Sequence, residues 1–223
     1  MTVTDFYWAR EGQTPAPAPD SIRLSDGRLR TDKTTFTEAE MQDAGYTVKA
    51  DPPPSPEPWQ TLAWDGSQWT TPDRDLATVQ AERKARLTPT RDQGIFAGAA
   101  SYDLAADTDV VDSSGNVLST APAGTTIKPD LRGPQDQQNL SQLASAATDA
   151  LAAGVQQTFD FKDSTDVIYR LSRDDMRGAA AAARAHGQAW WQAWWRHKDA
   201  VDATTTARDA YEYDPANNGG WPS

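Results

Sequence analysis

The chain has 223 residues, 38% of them hydrophobic, and no cysteine, which excludes disulfides, thiolate catalysis and cysteine-ligated zinc. Its 32 acidic residues outnumber 21 lysines and arginines for a net charge of −11. The longest basic runs, Arg83-Lys84-Ala85-Arg86 and Arg196-His197-Lys198, each have an acid alongside, so no basic patch recommends nucleic acid or an anionic membrane as partner.

No stretch approaches the ~20 apolar residues of a membrane span. The opening Met1-Thr2-Val3-Thr4-Asp5 lacks the charged and apolar regions of an export signal, so a soluble protein made in the cytoplasm, with no readable export route, is expected. The length suits two domains.

Residues 1–72 read as a small β-rich module. Asp5–Arg10 is aromatic and strand-like, whereas Thr14–Pro19 carries three prolines and cannot join a central strand. Ser21–Leu29 forms a hairpin around Ser25-Asp26-Gly27. Thr37-Glu38-Ala39-Glu40 is a capping box opening a two-turn helix that stops at Gly45, and Tyr46–Ala50 extends again. Five prolines within 52–58 make a stiff spacer, followed by a second hairpin in which Trp64 and Trp69 flank Asp65-Gly66.

Residues 73–205 read as an α+β module. A helix is predicted from about Arg74 to Leu87, ended by Pro89. Residues 94–127 show little periodicity, apart from a hairpin across Ser113-Ser114-Gly115-Asn116. Pro134 suits a first helical position, and Leu140, Leu143, Ala147 and Leu151 repeat at helical spacing until Gly154. Phe159, Phe161, Val167, Tyr169 and Leu171 alternate as a hairpin with one apolar face. Ser172-Arg173-Asp174-Asp175 reads as a second capping box, opening a long helix to about Val201. Residues 206–223 read as a polar tail with no reason to fold alone. The fold class expected is therefore α+β, with a β-rich N-terminal module and a long C-terminal helix.

Little in this pattern points to catalysis. The two histidines, His186 and His197, lack His, Cys or Glu partners at ligand spacing, and no serine sits in a nucleophile elbow. The run Asp107-Thr108-Asp109-Val110-Val111-Asp112 lacks the calcium-loop register and its twelfth-position glutamate, so a solvated loop is expected. There is no phosphate-binding loop and no dinucleotide fingerprint. Neither catalytic residues, metal nor cofactor are assigned.

Tryptophan dominates instead. Trp190, Trp191, Trp194 and Trp195 cover a broad helical stripe. Three readings compete: a core face, self-association, and a sugar-stacking or membrane-interface surface. For self-association, Met176, Ala180, Ala183, Gly187, Trp190, Trp194, His197 and Val201 step in heptad spacing. Two stacked pairs exceed what one small hairpin covers, because each ring buries up to ~250 Å². The candidate interface thus comprises Trp190, Trp191, Trp194, Trp195, Met176 and Val201, with Trp64 and Trp69 in the first module.

Two stretches carry a resemblance. Thr37-Glu38-Ala39-Glu40, Ala44-Gly45-Tyr46-Thr47-Val48, the proline spacer and Trp64-Asp65-Gly66-Ser67-Gln68-Trp69 resemble the N-terminal module of small tail-fibre or tail-fibre-assembly proteins. Arg91 to Ala203, with its Phe-rich hairpin, Leu171-Ser172-x-x-x-Met176 and long aromatic helix, resembles a domain of unknown function common in bacteriophage tail proteins. Against that pattern, 99–129 reads as an insertion. The resemblance implies a virion structural protein of the baseplate or tail-fibre region, with no catalytic residues to carry over. Its partners would be other tail proteins, in a homo-oligomer (a trimer among the options) or a hetero-assembly, with a host-surface glycan also open. A tail-fibre assembly chaperone absent from the finished virion, and a glycan-binding fibre component, are the alternatives.

Overall fold

The structure is a computed structural model and describes residues 2–96 and 100–222; of the aperiodic stretch 94–127 and the tail 206–223, residues 97–99 and 223 lie outside the described residues. The fold is α+β. The chain forms two compact units, one of residues up to Val79 with Thr205–Glu212, the other of Gln80–Thr204 with the residues from Tyr213 onward. The spacer 52–58 lies within the first unit.

In the first unit the strands are short: β1 (Tyr7–Ala9), β2 (Ala16–Pro17), β3 (Ile22–Arg23) and β4 (Leu29–Arg30). Helix α1 (Glu38–Asp43), β5 (Val48–Ala50), β6 (Ala63–Trp64) and β7 (Trp69–Thr70) follow. β1 sits between β2 and β5 in an antiparallel sheet, which leaves the proline-bearing β2 at an edge where a missing N–H costs least. The β3–β4 hairpin turns on Gly27 at φ +88°, and the β6–β7 hairpin on Gly66 at φ +103°, conformations a side chain would strain. At the head of α1 the Thr37 hydroxyl accepts the Glu40 N–H at 3.2 Å, and Glu40 accepts the Thr37 N–H at 2.8 Å. Val3, Trp8, Ile22, Leu24, Phe36 and Met41 make the core of this unit.

Helix α2 spans Leu76–Phe96 and runs through Pro89. Proline inside a helix removes one hydrogen bond and crowds the carbonyl four residues back, at about 3 kcal/mol, and on that ground the helix was expected to end before it. The two turns beyond Pro89 are held by tertiary packing instead: Arg91 is buried, and Gly94 lies directly against the Trp190 ring.

The second unit continues with β8 (Tyr102–Asp103), β9 (Thr108–Val111), β10 (Val117–Ala121) and β11 (Thr126–Ile127). Helix α3 (Pro134–Ala152), β12 (Thr158–Lys162), β13 (Ile168–Ser172) and helix α4 (Arg173–Asp202) complete its regular framework. Four strands form an antiparallel sheet in the order β10-β9-β13-β12. The segment that reads as an insertion thus supplies β9 and β10 to the main sheet. Phe159 lies opposite Leu171 and Phe161 opposite Tyr169, all four buried on one face, while Asp160 and Arg170 pair on the other at 2.9 Å. Alanines floor the packing above the apolar face: Ala144, Ala147 and Ala150 of α3, Ala179, Ala180 and Ala183 of α4.

The start of α4 departs from a full capping box. The Ser172 hydroxyl does accept the Asp175 N–H at 3.1 Å. The Asp175 carboxylate, however, accepts the Tyr102 hydroxyl at 3.0 Å, the Ala105 N–H at 2.8 Å and the Ser172 hydroxyl at 2.7 Å. The carboxylate therefore fastens β8 and the loop after it to the head of α4. Beyond α4, residues 206–223 are more than a polar tail. Helix α5 (Ala207–Glu212) places Ala207, Ala210 and Tyr211 with Val79, Leu76 and Trp59 in the first unit. Tyr213 and Trp221 join Leu87, Val201 and Trp194 in the second.

Candidate interaction surface

The tryptophan band of α4 divides into an inner and an outer half. On the inner half, Trp190 stacks on Trp221 with ring centroids 5.3 Å apart and planes 19° from parallel. His197, two turns further, is fully buried. Its Nε2 lies 3.0 Å from the Gly220 carbonyl and its Nδ1 2.8 Å from the Tyr213 hydroxyl. A carbonyl can only accept, so Nε2 carries the proton and Nδ1 of the neutral ring accepts the tyrosine O–H. Burial pushes the His197 pKa below its ordinary value; the bond to Gly220 opposes this and the nearby Arg196 reinforces it. Burial likewise raises that of Tyr213. The Arg196 guanidinium donates to the Gly220 carbonyl at 2.6 Å, and Arg83 to the Tyr213 carbonyl. Residues 213–221 are in this way tied to α4 and α2 at both ends.

On the outer half, the buried Arg91 guanidinium lies 4.0 Å from the Trp191 ring centre and 4.6 Å from that of Trp194, and it is ion-paired with Asp92. Lys198 covers Trp194 from another side at 4.3 Å. Trp191 meets Trp194 edge-on at 5.3 Å and Trp195 at 5.9 Å. Trp191 remains 39% exposed and Trp195 55%, beside Gln188 and Gln192 in a shallow depression. The indole N–H groups of Trp190 and Trp194 are buried without a hydrogen-bond partner, a cost of about 1–3 kcal/mol each that the ring contacts must offset.

The expected interface residues therefore separate. Met176 and Val201 are fully buried within the chain, in the sheet–helix core and beside Leu87 and Tyr213 respectively, and offer nothing to a partner. The heptad row they belong to is an internal seam, with Ala180, Ala183 and His197 buried as well. Trp190 and Trp194 are half-buried, and only Trp191 and Trp195 face solvent. In the first unit, Trp64 and Trp69 pack edge-on at 5.3 Å, Trp69 also meets Tyr7 at 6.0 Å, and its indole donates to the Asp51 carbonyl at 2.9 Å. Both are half-buried.

Arg91 and Trp221 are the residues that sequence reasoning missed. One looks like an ordinary surface charge and the other stands alone in a polar tail. An isolated tryptophan in such a tail is the one available signal, because a chain seldom leaves that much apolar area without a place to bury it. His186 lies 3.0 Å from the Gly94 carbonyl through Nε2. The acidic run at 107–112 is not a solvated loop: Thr108–Val111 form β9 of the main sheet, and the acids at its ends cap the adjoining turns, Asp107 accepting the Ala123 N–H and Asp112 those of Ser114 and Asn116. Among the described residues, no cluster of three or more His, Asp or Glu is placed to hold a metal ion. No helix among them is long and apolar enough to cross a membrane.

No curated protein and no solved structure shows a significant match to the chain. Residues 66–215, about two thirds of its length, match the family described as Domain of unknown function (DUF4376), and the chain belongs to that family.

Proposed function

We propose that the chain is a structural component of a bacteriophage tail, in the baseplate or tail-fibre region, and that it works through protein–protein assembly and not catalysis. The observation that carries this reading is the exposed Trp191–Trp195 pair, in which Trp191 is held by Arg91 and Trp194 and Trp195 packs on Trp191, on the longest helix of a chain with net charge −11. A pre-ordered aromatic pair on a rigid scaffold loses little side-chain entropy on association, which is why tryptophan and arginine concentrate in binding hot spots. The acidic remainder of the surface favours solubility before assembly. The resemblance of 37–69 and of 91–203 to phage tail proteins supplies the biological setting.

The test is quantitative protein analysis of purified virions, with localisation by antibody labelling. A stoichiometric copy number in the tail is the expected result. Absence from virions, with fibres that fail to assemble in its absence, would replace this reading with a fibre-assembly chaperone. Absence without an assembly defect would reject both.

A further inference from the structure

One stripe of the outward face of α4 is ordered by charge, beside the exposed Arg196, which is engaged by the Gly219 and Gly220 carbonyls. Ala181, Arg184, Gln188, Trp191, Trp195 and Asp199 are exposed, as is Asp202. Their steps of three and four residues hold them in one stripe along a helix of 3.6 residues per turn. From the N-terminal end the stripe reads cation, amide, two tryptophans, then two carboxylates. Arg184 and Asp199 make no ion pair or side-chain hydrogen bond among the described residues, whereas Asp202 is engaged by Lys84.

Such a stripe is complementary to itself when reversed. A two-fold axis through the midpoint between Trp191 and Gln192 exchanges Arg184 with Asp199 and Gln188 with Trp195. We infer that the exposed face of α4 packs antiparallel on the same face of a second copy, with Arg184 beside the partner's Asp199 and Trp191 at the axis. The pairing occurs twice by symmetry, as a closed two-fold interface requires. A parallel pairing in register would set Arg184 against its own equivalent, a like-charge contact that costs affinity. The inference rests on the assembly reading above only in using the same patch.

The area fits a modest interface. With a whole tryptophan near 250 Å², exposures of 39% and 55% leave roughly 230 Å² of ring surface per copy. That is under a third of the ~800 Å² that each partner contributes to a standard interface. The other exposed side chains of the stripe add to this and leave the interface below standard size, in the range of weak, reversible association.

Sedimentation velocity on the full chain, from about 1 to about 100 µM, tests this directly. Wild type is expected to dimerise, and Trp191→Ala/Trp195→Ala to remain monomeric. Arg184→Asp and Asp199→Arg alone should each raise the dissociation constant about tenfold or more, and the double swap should bring it back to within about threefold of wild type. Arg184, Trp195 and Asp199 are exposed, and Trp191 partly so with its inner face on Arg91, so circular dichroism and the melting temperature check that each variant stays folded. A monomeric wild type, a dimer that survives loss of both tryptophans, or single swaps that the double swap does not rescue would each overturn the pairing. None of these outcomes bears on the virion analysis, so the two proposals fail separately.

Discussion

Two glycines inside helices should respond in opposite directions to the same substitution. Gly94 in α2 and Gly187 in α4 both sit where alanine improves helix propensity by about 1 kcal/mol. At Gly187 a Cβ meets nothing within 4 Å, so Gly187→Ala should keep that gain. At Gly94 the same atom would fall inside the ring carbons of Trp190. Trp190 cannot withdraw freely, because Trp221 stacks on it at 5.3 Å. Overpacking of this kind costs typically about 1–3 kcal/mol, which outweighs the propensity gain and also moves the Gly94 carbonyl away from His186. The net expectation is a loss of about 1–2 kcal/mol for Gly94→Ala and a gain of up to about 1 kcal/mol for Gly187→Ala. With about 2–4 °C per kcal/mol for a chain of this size, calorimetry should show their melting temperatures several degrees apart, on either side of wild type. Adding Trp190→Ala should make Gly94→Ala harmless, since the clash goes with the ring. If Gly94→Ala raised the melting temperature as Gly187→Ala does, α2 and α4 would not meet through Gly94 and Trp190, and the packing that carries α2 past Pro89 would be wrong.

Asp175→Ala removes an acceptor from Tyr102, Ala105 and Ser172 together and should cost on the order of 3 kcal/mol in urea denaturation. The same change should lower the Tyr102 pKa, now about 12 through burial first and Asp175 second, as ultraviolet titration would read; no movement would reject the contact. His197 is held neutral in the fold, while the unfolded chain takes up a proton at its ordinary value of about 6.5. Its contribution to stability is therefore complete above about pH 6.5 and declines as pH falls from there toward the depressed folded value. The melting temperature of wild type should fall more than that of His197→Gln between about pH 7 and about pH 5, and parallel curves would refute the buried neutral imidazole. Pro89→Ala restores a backbone donor inside α2 and should raise stability by about 1–3 kcal/mol, seen as a higher urea midpoint; a lower midpoint would mean that proline shapes the packing of the last two turns.

The parts of the fold legible in the sequence were those fixed by local chemistry. The turn at Asp65-Gly66 declares itself because Asp65 Oδ1 can take the Ser67 and Gln68 N–H groups at 2.8 Å while Gly66 supplies the positive φ. The cap at Thr37 and Glu40 is local in the same sense. Pro89 misleads because its cost is local but its compensation, through Arg91 and Gly94, comes from a helix nearly a hundred residues away. The tail misleads for the same reason: Tyr211, Tyr213 and Trp221 each find partners far along the chain. Periodicity in α4 identified which residues share a face and left open which face lies inside. The heptad row holding Met176 and Val201 and the row holding Trp191 and Trp195 are both regular, and only packing shows that the first is interior.

That distinction bears on why Trp195 is where it is. Alanine in the first half of α4 admits α3 at close range, and Trp190 and Trp194 in the second half fill the wider gap toward α2 and residues 213–221. Each of these choices is explained by burial within the chain. Trp195 is not: it is 55% exposed, and among the described residues its ring contact is with the half-exposed Trp191 and, unlike Trp194, it carries no cation over its face. Exposing well over 100 Å² of ring to water forgoes roughly 3 kcal/mol of transfer free energy that a polar residue at the same site would not forgo. Folding alone supplies no return on that exposure. A surface that gains only when covered accounts for it, and the charges at either end of the same stripe restrict what can cover it.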